Sequence, residues 1–168
     1  MPGFFRKLFR LGALPDAVRT ELEPEGILAV FKNIAVSYRF SGHVPGLISA
    51  GEVRAYSGAL VVTGARLVGT LSVLPGSAGR AIDVPWTTGD DGAVQLTIDG
   101  SGVHIAIDLA RVSPGEFTGT QSLNYRQPMT TELLAQLPKT SFGFDIPRAY
   151  ALRLAGVPVR PPKTTPQD

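Results

Sequence analysis

The chain of 168 residues contains no cysteine. This absence excludes disulfide bonds, metal sites built on thiolates and a cysteine nucleophile. It is compatible with a reducing compartment, and we expect a cytoplasmic protein.

Long apolar runs are absent as well. No stretch approaches the roughly 18 apolar residues that a membrane-spanning helix needs. The N-terminus begins with basic residues, but its apolar stretch is short and interrupted by charge. We therefore do not interpret it as a signal peptide.

Positive charge is scarce in the body of the chain. Residues 1–10 carry Arg6, Lys7 and Arg10 without an acidic residue, residues 148–168 are also net basic, and the middle is slightly acidic. Nucleic-acid-binding modules usually cluster basic residues on the folded body, so we expect no nucleic-acid partner. Arginine outnumbers lysine by twelve to four, a bias typical of a high-GC bacterium.

The residues that are plentiful indicate the fold class. Apolar residues make up 43 % of the sequence, and 19 glycines and 14 prolines divide them into short runs. This pattern is typical of a turn-rich, mostly β protein, and the length fits a single domain.

Alternating apolar residues predict the first strands. The residues at even positions from Leu28 to Phe40 are apolar, except Lys32, which marks either a bulge or the exposed rim of the sheet. Residues 41–57 are rich in Gly and Ser and contain Pro45, which predicts a loop with at most a short edge strand.

Two hairpins and an edge strand are predicted next. Residues 59–73 form a hairpin that turns at Gly64, and residues 82–86 form an edge-like strand because Pro85 cannot donate to a ladder. In Val94–Leu109, a two-residue loop at Gly100 and Ser101 places every apolar residue opposite an apolar partner.

The C-terminal part combines a strand with short helices. Thr118–Arg126 reads as a strand, and Thr130 caps a short helix whose flanking Met129 and Leu134 occupy staple positions. We expect an extended piece at 142–146, a helix ending before Gly156, and a disordered tail.

These predictions combine into a mostly β fold. We expect an antiparallel β-barrel or sandwich of about seven strands, with a short capping helix at residues 130–137 and short N- and C-terminal helices. The predicted organisation is an N-terminal helical segment (1–25), one β domain (26–158) and a disordered tail (159–168).

The order of strands followed by a helix resembles the pleckstrin-homology-like (PH-like) superfamily, which includes GRAM domains and bacterial PH-like domains. The local match is the hairpin LVVTGARLV at residues 60–68, and the resemblance spans Ile27 to Leu137. It implies a non-catalytic domain that binds lipid head groups, peptides or proteins. A phosphoinositide site is not carried over, because residues 41–53 contain no Lys or Arg.

The segment FFRKLFRL at residues 4–11 is the candidate for membrane contact. Aromatic and leucine side chains would enter the head-group boundary while the cations meet anionic lipid. The alternative is a short helix that packs on the sheet or binds a partner. The candidate contact residues are Phe4, Phe5, Arg6, Lys7, Leu8, Phe9 and Arg10.

His104 and Asp108 form the one arrangement that suggests acid–base chemistry. Four residues apart on a strand they share a face, but the strand separates them by about 13 Å. That distance is too long for a hydrogen bond or a shared ion, so we predict no catalytic residue, no metal site and no cofactor.

We therefore expect a binding or scaffolding module that works on a protein partner or at an anionic membrane surface, in the latter case at its inner, cytoplasmic face. A second interpretation is a β-barrel carrier of a small apolar ligand, with room left by Ala35, Ala59 and Gly69. A third, an enzyme, would require polar groups that converge in a pocket. The oligomeric state stays open.

Overall fold

The computed structural model describes residues 16–72 and 80–157. The predicted membrane-contact residues 4–10 and the predicted tail 159–168 lie outside these ranges. The described elements, in chain order, are α1 (Asp16–Leu22), a 3₁₀ turn (Glu23–Glu25), β1 (Ile27–Val44), β2 (Leu47–Thr63), β3 (Arg66–Leu71), β4 (Arg80–Pro85), β5 (Val94–Asp99), β6 (Gly102–Asp108), α2 (Leu109–Val112), β7 (Thr118–Arg126), α3 (Thr131–Gln136), β8 (Ser141–Phe144) and α4 (Arg148–Ala155).

The eight described strands form one antiparallel sheet in the order β4-β3-β2-β1-β7-β6-β5-β8. The sheet curls into a half-barrel, which confirms the expected mostly β architecture with short helices. The long strands β1 and β2 lie at its centre and pair along nearly their whole length.

A bulge in β1 changes which side chains face the interior. The register skips from Phe31 to Ile34, and Asn33 lies between them with φ +51°. The bulge predicted at Lys32 is thereby confirmed, but the single parity predicted for the strand is wrong. Before the bulge Phe31 packs on the inner core, whereas Val30 packs on the outer side and Leu28 is exposed.

The loop predicted at residues 41–57 is wrong. β1 continues to Val44, a turn follows at residues 45 and 46, and β2 starts at Leu47. Glycine is needed here for close packing rather than for flexibility: a Cβ on Gly42 would lie 2.1 Å from the carbonyl oxygen of Thr118 on β7. Cross-strand pairing has overridden the low strand propensity of Gly and Ser.

The hairpin predicted at Val94–Leu109 is confirmed in register. Ile98 pairs with Val103 and Leu96 pairs with Ile105. The cap of α3 is confirmed too, because the Thr130 hydroxyl accepts a hydrogen bond from the Leu133 amide at 3.1 Å. α4 ends as predicted at Gly156, which adopts a left-handed conformation.

The concave side of the sheet holds the main core. Its largest fully buried side chains include Tyr38, Phe40, Phe117, Tyr125 and Phe142. α3 buries only Leu133, whereas α4 buries four side chains in the same core. α4 is therefore the helix that contributes more to the interior.

Polar groups tie α4 to the sheet. Gln121 is buried on β7, and its Nε2 donates to the Tyr38 hydroxyl and to the Ala151 carbonyl, each at 3.0 Å. The Tyr150 hydroxyl donates to the carbonyl of Ala81 on β4. Since these donors lie in the interior, their hydrogen bonds fix how α4 sits across the half-barrel.

The outer side of the sheet has two halves. At one end α1 packs Val18 and Leu22 onto Ala59, Val61 and Val68, which point outward yet are buried. Residues 16–25, predicted as part of a separate segment, therefore belong to the packed domain. In the part of the chain that the structure describes, no helix is long and apolar enough to cross a membrane.

Candidate functional site

Small polar side chains cover the other half of the outer face. They lie in paired rows: Ser37 on β1 faces Asn124 on β7, and Asn124 faces His104 on β6. One row further, Arg39 faces Ser122. No described helix packs over these rows, so this half of the face stays open.

The open half contains a shallow groove of about 550 Å³. Arg39 and Arg126 belong to different strands and stand at its two ends. Since Arg126 pairs with Ala35, four residues from Arg39 on β1, the two Cα atoms are separated by about 13 Å along the strands. The residues that line the groove are Ser37, Arg39, Ser101, His104, Asn124, Arg126 and Pro128.

Both arginines of the groove lack a partner among the described residues. Within residues 16–72 and 80–157, neither Arg39 nor Arg126 makes a hydrogen bond or an ion pair, and both are exposed. Such guanidinium groups are available for a carboxylate or phosphate, which they bind with planar, paired N–H donors.

The arginines at the covered half of the sheet are arranged differently. Arg66 contacts Glu21, Glu25 and Asp83 at 2.9–3.1 Å, and Arg80 contacts Glu21 and Asp83 at 2.8 Å. The hydrogen bonds from Arg80 and Arg66 lower the pKa of Glu21 from 4.5 to about 2. These cations are paired with carboxylates and attach α1 to the sheet.

A hydrogen-bond network orders one wall of the groove. Nδ1 of His104 lies 2.9 Å from Asn124 Oδ1, and its Nε2 lies 2.8 Å from Ser101 Oγ and 3.2 Å from Asp99 Oδ1. The Ser101 hydroxyl and amide, followed by His104, lower the pKa of Asp99 from 3.8 to about 2. The network holds the imidazole against the β5–β6 turn.

This network does not have the geometry of a nucleophile and its base. Ser101 Oγ lies 2.6 Å from Asp99 Oδ1, so the carboxylate contacts both the hydroxyl and the imidazole. The Ser101 hydroxyl therefore donates its proton to Asp99, whereas a nucleophile has to donate its proton to the base.

The predicted His104–Asp108 pair is not brought together. Asp108 caps α2 by accepting a hydrogen bond from the Ala110 amide at 3.2 Å, while His104 faces the groove. Among the residues that the structure describes, no group of three or more His, Asp or Glu side chains is placed to hold a metal ion.

A second cavity of about 320 Å³ lies between β4, β8 and α4. Its apolar walls include Ile82, Ile105 and Phe144, and Arg80 and Asp145 stand among its polar groups. The central interior of the half-barrel is filled by large side chains.

The residues predicted to leave room inside do not form a cavity. Ala59 lies under α1 and Ala35 is exposed on the outer face. Gly69 does face inward, but a Cβ there would lie 2.9 Å from the Ile82 side chain, so the space is already occupied.

Sequence reasoning did not identify the groove. The groove depends on the register of β1 against β7, which joins residues more than 80 positions apart. The only sequence signal was the set of small polar residues at alternating positions, and in β2 the same composition led to the loop prediction.

The chain was compared with known proteins in three ways. No family model matches the sequence, and the searches of curated proteins and of solved structures gave no significant match. The likeness to PH-like domains therefore stays a prediction.

Proposed function

We propose that this protein is a non-catalytic binding module that docks on an anionic membrane surface through the open half of its outer sheet face. The observation that carries the proposal is the groove between Arg39 and Arg126, whose two cations have no carboxylate partner among the described residues. The polar wall residues of the groove, Ser37, Ser101, His104 and Asn124, offer groups that suit phosphate or carboxylate oxygens.

The apolar content of the same face supports a membrane rather than a free anion. Ile48 is 79 % exposed and Val53 is 60 % exposed, and both lie on the outer side of β2. Val53 is directly paired with Arg39. A cation next to an exposed apolar side chain suits the boundary between lipid head groups and acyl chains.

The N-terminal sequence adds a second basic and aromatic element. FFRKLFRL carries three cations and three phenylalanines. Stable membrane attachment generally needs two signals rather than one. In this proposal the N-terminal segment and the groove are the two signals.

Vesicle co-sedimentation tests the proposal. The full chain should sediment with vesicles of phosphatidylcholine containing phosphatidylserine, and much less with phosphatidylcholine alone. Each basic residue near such a surface contributes about 1 kcal/mol. Replacing both Arg39 and Arg126 by alanine should therefore lower the partition constant about thirtyfold.

The matched control is the double variant Arg111→Ala/Arg153→Ala, which removes the same charge away from the groove. It should bind nearly as well as the unmodified chain. Equal losses in both double variants would mean that only net charge matters, and the groove would be rejected. Binding that depends on residues 1–12 but not on the groove would restrict membrane contact to the N-terminus.

The cleft between β4, β8 and α4 favours a second candidate function, a carrier of a small apolar ligand. Its volume is at the lower end of the range of small-molecule sites. Native mass spectrometry of the protein purified from its source should then show a bound mass. A chain free of added mass under gentle ionisation argues against this candidate.

A further inference from the structure

Among the described residues, β4, β8 and the first half of β2 each present an edge without a neighbouring strand, as do residues 27–34 of β1, and the edges of β4 and β8 are blocked. On β4 the Ala81 carbonyl accepts from Tyr150, and Pro85 has no N–H. The outer edge of β8 is covered by the chain at residues 89 and 90, where the Gly143 amide donates to the Gly89 carbonyl at 2.9 Å. Such blocking is how proteins prevent edge-to-edge pairing.

The edge of the first half of β2 is open. β1 pairs with β2 from Leu47 to Thr63, but β3 pairs only with residues 58–62. Within the described ranges, no strand lies beside the other edge of residues 47–56. This edge is long and carries the exposed side chains of Ile48 and Val53, which is the opposite of the protection given to β4 and β8.

The direction of the free backbone groups follows from the neighbouring pairs. The Ser57 carbonyl accepts from the Ser72 amide, and the Ala59 amide donates to the Thr70 hydroxyl, so both point toward the β3 side. Because this direction alternates along a strand, Val53 and Ala55 present their N–H and C=O groups to the open side.

We infer that this edge pairs antiparallel with the same edge of a second copy of the chain, with the twofold axis at Val53. In that register each Val53 faces its copy, Ala55 faces Gly51, and Glu52 faces Arg54. The pairing is self-complementary, because every Glu52 lies opposite the cation of the partner subunit while the apolar Val53 side chains cover each other.

The local geometry favours this register. Gly51 is the extra residue of a bulge, with φ +103°, and nothing lies within 4 Å of where its Cβ would be. The space next to Ala55 is therefore free of a side chain. Glu52 and Arg54 already form an ion pair within one chain at 2.5 Å, and dimerisation extends it to a cluster of four charges.

Cysteine cross-linking tests the register without interference, because the natural chain has no cysteine. In Val53→Cys the two Cα atoms are about 5.5 Å apart across the axis, within the range of a disulfide. In Ala55→Cys the two cysteines are displaced by four residues, about 13 Å. We expect oxidation to yield a covalent dimer of the first variant and not of the second.

Sedimentation velocity over a wide concentration series provides an independent readout. The full chain should show a concentration-dependent dimer, and Val53→Lys should shift it to monomer with an unchanged circular dichroism spectrum. Thr97→Lys, on the outer face of β5, should dimerise like the unmodified chain. A monomer at every concentration, equal cross-linking of both cysteine variants, or a Val53→Lys protein that still dimerises would each overturn the inference.

Discussion

The two halves of the outer sheet face use arginine in opposite ways. Under α1, Arg66 and Arg80 share Glu21 and Asp83 and hold the helix to the sheet. On the open half, Arg39 and Arg126 have no partner among the described residues. The first pair therefore stabilises the fold, while the second pair contributes charge that no described residue neutralises.

The largest effect on stability is expected from weakening the contact between α1 and the sheet. Leu22 is fully buried between α1 and the sheet. Leu22→Ala should lower the free energy of unfolding by about 2–5 kcal/mol, because it removes buried methyl groups and leaves a cavity. Urea denaturation measures this. The control on the open half, Ile48→Ala, removes a side chain that is 79 % exposed and should stay within about 0.5 kcal/mol of the unmodified chain.

Single arginine substitutions should distinguish the arginines of the covered half from those of the open half. Arg66→Ala removes a side chain that is 18 % exposed and contacts three carboxylates. We expect a loss of about 1–2 kcal/mol, limited by the water that screens these surface charges. Arg39→Ala should change the free energy of unfolding by less than about 0.5 kcal/mol. Equal effects of the two substitutions would remove the distinction between structural and unused arginines.

Acid titration should weaken the ion pairs that attach α1 to the sheet. The folded pKa of Glu21 is lowered from 4.5 to about 2 by Arg80 and Arg66. Its contribution to stability is therefore present above pH 4.5 and is lost as the pH falls toward 2. Melting temperatures of the unmodified chain and of Glu21→Gln should differ at pH 6 and converge near pH 2. A constant difference over this range would contradict the assigned role of Glu21.

The sequence predicted local features better than long-range ones. The Val94–Leu109 hairpin, the Thr130 cap and the Gly156 helix end all depend on residues close in the chain, and all three are confirmed. The parity predicted for β1 holds after the bulge but is wrong before it, because one inserted residue moves the side chains on its two sides to opposite faces. The loop predicted at residues 41–57 was wrong because pairing with neighbouring strands, rather than intrinsic propensity, makes these residues strands.

The groove was beyond sequence reasoning for a similar reason. Ser37, Asn124 and His104 meet only because β1, β7 and β6 are neighbours in the sheet, and no local pattern specifies that order. That Arg39 has no partner within residues 16–72 and 80–157 is likewise visible only in the folded structure. The sequence shows where the cations lie along the chain, but only the packing of the folded chain decides which of them contact a carboxylate.

The central claim is that the unpaired arginines of the open half recognise an anionic head group. The most direct test is an NMR titration of the full chain with a soluble short-chain phosphatidylserine, followed through amide chemical shifts. The claim predicts shifts centred on Ser37, Asn124 and His104, absent in Arg39→Ala/Arg126→Ala. Shifts centred on Arg66 and Arg80, or shifts that persist in the double variant, would contradict it.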